Sequence, residues 1–436
     1  MQKFLNSFLE KENTNLDKIG LSTFFLGIFL LPSAMAISIL FFLIAIIISF
    51  LNSYNFYKDK WNYPFFISSF LLILSSLKHF GNSEELYKSF WNPSLSLIGL
   101  LNWIPLFVCF WAFQKYLNSP EKRILASKIF ISGSIPVIFS GILQLLNLNG
   151  PFDIFNGLIV WYQKPLSEIG SLSGLFNNQN YAGLWMALIW PFCLAAFKQQ
   201  NVIKISKAVL LLICLSFLIF IFLTDSRNAF LCILISTPLV LGRSSLFWYI
   251  PTLFISFFLL AVAVIPIFPE EIQIFVRSLI PSRTYTLFSE IGFNHLIDYP
   301  RINKWSSALD FILKKPLFGW GAAAFPVIYK LEKGGEWFGH AHNLPLDLAV
   351  SYGLIPSLLI FSTYLLLLLK AYKKIFIINI IGYINQDISK FERAWWAASF
   401  IFFISHLSDV QYFDGRISII CWILLAGLRS IIKEKK

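Results

Sequence analysis

The feature that most limits how this chain can fold is a series of apolar runs too long and too numerous to be covered by a water-facing surface. Thr23–Leu31, Ile37–Phe50, Val209–Leu223 and Leu246–Phe268 are almost free of charge. Windows of about 20 apolar residues are what a helix needs to cross a bilayer. The chain as a whole is 57% hydrophobic and 13% charged, against roughly 45–50% and about 25% in ordinary soluble domains. A soluble, disordered or fibrous protein is excluded. The 47 Phe, 16 Tyr and 14 Trp follow from the same setting, supplying lipid-facing and interfacial side chains, and do not mark a cofactor site.

Such windows place helices near 21–33, 34–51, 63–78, 95–114, 127–146, 179–197, 206–223, 227–242, 246–267, 343–370, 394–408 and 413–432. The expected fold is all-α, a polytopic membrane bundle of about twelve transmembrane helices. Leu31–Pro32–Ser33–Ala34 is either a tight turn between two short spans or a kink in one long helix, because proline breaks the hydrogen-bond ladder. Lys and Arg should collect on the cytoplasmic side. With the amino-terminus inside, the inner segments hold 22 of the 35 basic residues and the short outer loops five, the other eight lying in one long segment. That bias supports cytoplasmic tails at 1–20 and 433–436, spans one to nine within 21–267 and spans ten to twelve within 343–432. The formal charge of +12 is thus topological, and the absence of a dense basic block argues against a nucleic-acid partner. The five cysteines are widely spaced inside apolar runs, implying neither disulfides nor a zinc motif.

Residues 268–342, the one long extramembrane stretch, fall on the outer face between spans nine and ten. A loop of this length should carry short helices, such as Asn303–Leu313, ended by Pro316 and Gly319–Trp320–Gly321. Three groups of polar residues could do chemistry on that face. In Thr224–Asp225–Ser226–Arg227–Asn228, the guanidinium of Arg227 suits a phosphate; pairing with Asp225 or reaching for headgroups would explain it equally. Arg301, Lys304 and Trp305 share a helix face that suits a pyrophosphate and a sugar ring, although a basic helix lying on anionic lipid would look the same. In His340–Ala341–His342–Asn343, Asn343 caps the next helix and His342 stands at its mouth. An imidazole, ordinarily titrating near pH 6.5, suits a general base there. His340 and His342 could instead bind a metal, but no third ligand is evident, so no metal is expected. Asp347, Glu336 and Asp225 are the acids available to His342, with no spacing that selects one; His79, His295 and His406 are isolated and read as structural.

These pieces resemble, in content and order, the O-antigen ligase and polymerase superfamily of bacterial inner-membrane glycosyltransferases. Phe176–Asn177–Asn178–Gln179–Asn180–Tyr181–Ala182 resembles its Asn-rich span entry, and Asp225–Ser226–Arg227–Asn228–Ala229 its Ser-Arg turn. Arg301 with Trp305, Pro316–Leu317–Phe318–Gly319–Trp320–Gly321, His342–Asn343 and Gly353–Leu354–Ile355 follow in family order, so the motifs cover about 176–355. The resemblance implies an undecaprenyl-diphosphate-linked glycan as donor, no cofactor, and a site on the periplasmic face of the inner membrane. Arg227 and Arg301 would hold the donor diphosphate and His342 would be the catalytic or acceptor-activating residue, with Lys304, Trp305, Asn343 and His340 around the substrate. Where the family often has an acidic residue two before the glycine, this chain has Ser351, which leaves Asp347 as the expected partner of His342. The acceptor is expected to be lipid A-core, as in a ligase of lipopolysaccharide biosynthesis. A polymerase acting on a second lipid-linked glycan is the alternative, and a small-solute transporter the rival of another class.

Overall fold

The computed structural model describes residues 14–51, 56–81, 90–154, 156–157, 159–200, 205–280, 300–334, 337–378 and 386–434. Glu336 and most of the amino-terminal tail lie outside the described residues. Helices overlap the expected windows, but 95–114, 127–146 and 343–370, each expected as one helix, are each divided in two, the last at Gly353: α1 (Asn15–Leu30), α2 (Met35–Leu51), α3 (Tyr63–Gly81), α4 (Ser94–Gly99), α5 (Ile104–Phe113), α6 (Pro120–Gly133) and α7 (Ile135–Leu145). Next come α8 (Gln179–Lys198), α9 (Lys207–Leu223), α10 (Arg227–Leu241) and α11 (Arg243–Val264). The long loop contributes α12 (Glu270–Leu279), α13 (Pro300–Lys314) and α14 (Phe325–Lys333), and the chain ends in α15 (Leu344–Tyr352), α16 (Leu354–Tyr372), α17 (Gln386–Ser405) and α18 (Gly415–Lys433). By length and composition, six helical stretches among the described residues can cross a membrane, and Met35–Leu51, Lys207–Leu223 and Arg227–Leu241 are shorter apolar helices. The sole departure from an all-helical chain among the described residues is a two-stranded antiparallel ribbon, β1 (Phe152–Ile154) with β2 (Ile159–Trp161), too short to show as an alternation in the sequence.

Leu31–Pro32–Ser33–Ala34 is a turn. The Ser33 and Ala34 N–H groups close onto Leu30 O at 3.1 and 2.7 Å, and α1 and α2 fold back on each other, with Ser38 Oγ donating to Gly27 O at 2.7 Å. The glycines at 20 and 27 make that approach possible, since an added Cβ would meet Tyr116 and Phe42. At the centre lie α8 and α18, buried along most of their length, between large rings such as Trp185, Trp395 and Trp422. The Trp395 ring covers Gly427 and donates its indole N–H to Leu424 O at 2.8 Å, so the missing side chain is where the ring lies. By contrast α11 exposes Phe247, Phe254, Phe257 and Phe258, which is stable for a helix facing hydrocarbon and costly for one facing water.

The two ends of the bundle differ in chemistry. At one, charges are paired, the buried Arg123 with Glu392 (3.0 Å) and the half-buried Glu434 (2.7 Å), the buried Arg429 with Asp59 (2.7 Å), and the half-buried Lys115 with Asp17. The first and last helices both reach this end. Removing one partner of a desolvated pair strands the other, so these contacts fix the ends of α1, α6, α17 and α18 against each other. The opposite end carries the start of α10, the start of α15 and the connection between α17 and α18, and it is there that the histidines lie.

The break between α15 and α16 positions that end. Gly353 has φ +100°, and the residues around it are laced to the Pro316–Gly321 turn: Leu354 N–H donates to Pro316 O (2.8 Å), Trp320 N–H to Val350 O (2.7 Å) and Gly321 N–H to Ser351 O (2.9 Å). A Cβ on Gly353 would stand 2.2 Å from Leu317 O, whereas one on Gly334, at φ +69°, would meet nothing within 4 Å. Both positions penalise an L side chain, but only Gly353 adds a collision with backbone. Gly353→Ala is therefore expected to cost about 3 kcal/mol or more and Gly334→Ala about 1 kcal/mol, measured as the shift in thermal unfolding midpoint of the purified protein in detergent.

Candidate functional site

The histidine turn is held in a conformation that the residue itself does not favour. His342 has φ +52°, in the left-handed region, and such a backbone persists where its surroundings over-determine it. Here they do. The Ala341 N–H reaches Asp347 Oδ1 (3.2 Å), the His342 N–H reaches His340 Nδ1 (3.2 Å) and the Leu344 N–H reaches His406 O (2.8 Å). The indole of Trp305 donates to His342 O at 3.3 Å. Asn343 uses both ends of its amide, accepting from the Leu346 N–H at 3.0 Å as the cap of α15 and donating to Leu407 O at 2.9 Å.

The carboxylate on the His342 ring is Asp409, not Asp347. His342 Nδ1 lies 3.1 Å from Asp409 Oδ1, while Asp347 is spent on the Ala341 N–H. Asp409 comes from the connection between α17 and α18. Its Oδ1 also accepts from the Val410 N–H (2.9 Å), and its Oδ2 accepts from Gln411 Nε2 (3.3 Å). Gln411 Oε1 in turn accepts from Asn228 Nδ2 at 3.4 Å, so a relay of side chains joins the first turn of α10 to the histidine. Burial opposes ionisation of Asp409, yet the hydrogen bonds from His342 and Val410, with the nearby imidazoles, hold its carboxyl below the ordinary range. An ionised carboxylate only accepts, so the proton between the two residues sits on His342 Nδ1, and in the neutral ring the lone pair is on Nε2. The half-exposed ring thus has the tautomer of a base oriented by an acid.

His340 packs beside it, with ring centroids 4.4 Å apart and the planes nearly perpendicular. Burial, then His342 and the cations Lys304 and Arg301, push its imidazole down to about 4, with Asp409 pulling the other way. His340 is therefore neutral near pH 7. One ligand atom from each of His340, His342 and Asp409 lies within 4.8 Å of the others, so the third ligand that spacing did not reveal is supplied by a distant part of the chain.

The cations divide. Arg227, the first residue of α10, is exposed and has no side-chain hydrogen bond or ion pair among the described residues. The turn before it is built for that: Asp225 takes φ +58° and Ser226 Oγ caps the helix on the Ala229 N–H at 3.4 Å. Arg301 is half-buried at the start of α13, close enough to His340 to shift it. Lys304 is only 4% exposed, its ammonium 3.4 Å above the centre of the Phe338 ring. Of the residues expected around a substrate, Trp305 and Asn343 make hydrogen bonds that hold the histidine segment, and Lys304 stands over Phe338 beside it. The Gly319–Trp320–Gly321 bend is anchored from α3, where Ser75 Oγ (2.6 Å) and His79 Nε2 (3.0 Å) meet Phe318 O.

Asp409 and Gln411 were not among the candidates. The available signal was topological: Ser408–Asp409–Val410–Gln411 is a polar break between two apolar runs, assigned to the same face as His342. No curated protein matches the chain. Residues 209–361 match the Wzy_C family, described as O-Antigen ligase; this segment includes Arg227, Arg301, His340 and His342, while Asp409 lies beyond it. Over those residues the chain is similar to that family.

Proposed function

We infer that the protein is a membrane glycosyltransferase that moves a glycan from undecaprenyl diphosphate to an acceptor hydroxyl, with lipid A-core as the acceptor. The observation that carries this reading is the His342–Asp409 pair, which leaves Nε2 basic at a half-exposed ring. The acceptor hydroxyl gives its proton to His342 Nε2 as its oxygen bonds to the anomeric carbon. The bond from that carbon to the diphosphate oxygen breaks, and the electron pair leaves with undecaprenyl diphosphate. One displacement inverts the anomeric centre. Arg227 and Arg301 neutralise the charge that develops on the leaving diphosphate, the electrostatic role often taken by a divalent cation, so the reaction runs without metal. The chain is read as twelve spans in the bacterial inner membrane. The charge-paired end and both tails are cytoplasmic, and the histidines face the periplasm.

The test is reconstitution of the purified protein with an undecaprenyl-diphosphate glycan in the presence of a chelator, offering lipid A-core or a second lipid-linked glycan. Transfer to lipid A-core is expected. Chain growth on the lipid carrier would instead make the protein a polymerase of the same superfamily, and silence with both acceptors would favour a transporter. A charged hydrogen bond is worth about 1.5–3 kcal/mol, so Arg301→Ala should raise the apparent KM for the lipid-linked donor at least about tenfold. An unchanged donor KM in Arg301→Ala would remove that residue from the diphosphate site.

A further inference from the structure

The geometry points to a transition-metal site made of His340, His342 and Asp409, at which a zinc ion binds and silences the base. Two imidazoles and one carboxylate form a donor set that suits zinc and its neighbours and not magnesium, which prefers oxygen ligands in an octahedron. Two ligands on one tetrahedral zinc, each at about 2.0–2.1 Å, stand about 3.3 Å apart. His342 Nδ1 and Asp409 Oδ1 are already 3.1 Å apart. His340 turns its Nδ1 lone pair inward, toward the His342 N–H at 3.2 Å, and all three residues present a ligand atom within 4.8 Å of one another. The perpendicular rings, 4.4 Å between centroids, approach one point without stacking face to face. Binding asks His340 to give up its hydrogen bond to the His342 N–H and close on the ion. The fourth position is open, because His342 is exposed at 25% of its side-chain surface.

The chemistry balances without a net change in protons. In the metal-free site the shared proton is on His342 Nδ1. An ion that takes Nδ1 and the Asp409 oxygen drives that proton to Nε2, and the ring stays neutral. The nitrogen that faces the acceptor then carries a hydrogen and has no lone pair to offer. Arg301 and Lys304, whose charges reach His340, oppose a divalent cation, so the affinity belongs in the micromolar range and not with structural zinc sites. The site itself stands on three side chains and does not depend on the reaction; only the inhibition rests on the proposed transferase activity.

The experiment uses the full chain purified in detergent and zinc chloride in equilibrium dialysis. One zinc per chain is expected, not displaced by millimolar magnesium. His340→Ala and Asp409→Asn should each weaken binding at least tenfold. A second measurement needs no variant: in the wild-type protein, zinc should slow carbethoxylation of His340 and His342 by diethyl pyrocarbonate at least tenfold, read by peptide mass spectrometry. Unprotected histidines, or undiminished binding in both variants, would overturn the site. In the reconstituted transfer assay zinc should inhibit and a chelator restore. Zinc bound at these residues with transfer intact would uphold the site and refute His342 as the base.

Discussion

His342→Ala is expected to lower kcat for glycan transfer by about 10²–10⁴-fold, the range a positioned general base supplies, with little change in the apparent KM for the lipid-linked donor. The argument is about where the residue acts. Trp305, Asn343 and the backbone from Ala341 to Leu344 are held by groups other than the His342 side chain. The ring's own hydrogen-bond partner among the described residues is Asp409, and His340 only packs beside it. Removing the ring therefore leaves the turn braced, and membranes should contain normal amounts of protein. If His342→Ala kept full transfer activity at normal protein level, the proposed base would be wrong.

Asp409→Asn should cost a similar amount, about 10²–10⁴-fold in kcat, even though the side chains have nearly the same shape. Every partner of this carboxylate donates: His342 Nδ1–H and the Val410 N–H to Oδ1, Gln411 Nε2–H to Oδ2. An amide places NH₂ at one of those positions. Placed on the Oδ1 side, it faces two donors and drives the histidine to the other tautomer. Placed on the Oδ2 side, it forces Gln411 to flip, which sets Gln411 Nε2 against Asn228 Nδ2, now 3.4 Å from Gln411 Oε1. The relay thus fixes the polarity of the whole chain of groups, and a neutral isostere cannot satisfy it. Asp409→Glu keeps an acceptor and should recover part of the rate, a difference that mere loss of folding would not produce. Equal activity of wild type and Asp409→Asn would leave Asp409 a structural residue.

Much of the architecture could be read from the chain because membrane helices declare themselves by apolar length. The windows at 179–197 and 206–223 lie within one residue of Gln179–Lys198 and Lys207–Leu223. Pro32 did not decide between turn and kink; that was settled by the close packing of Gly20 and Gly27 against α2 and α5's neighbour Tyr116. Arg227, Arg301 and His342 stood out as candidates because a charge or an imidazole beside an apolar run calls for a reason. Their supports did not. Trp305 looked like a sugar platform, and only the fold shows its indole N–H on His342 O. Asp347, five residues from His342, was the nearest acid in sequence, but one turn into α15 it points back at the Ala341 N–H. Asp409 is 67 residues away. No local spacing encodes a contact made by bringing a later helix hairpin against an earlier turn.

That distance also sets a schedule. A ribosome delivers Arg227, Arg301 and the histidine turn well before Asp409, and the carboxylate reaches His342 only when α17 has packed into the bundle and the chain has reversed into α18. Until then the imidazole has no fixed tautomer and the relay from Asn228 has no far end. On the proposed function, a partly synthesised copy would lack its oriented base, and the final hairpin is what completes the site.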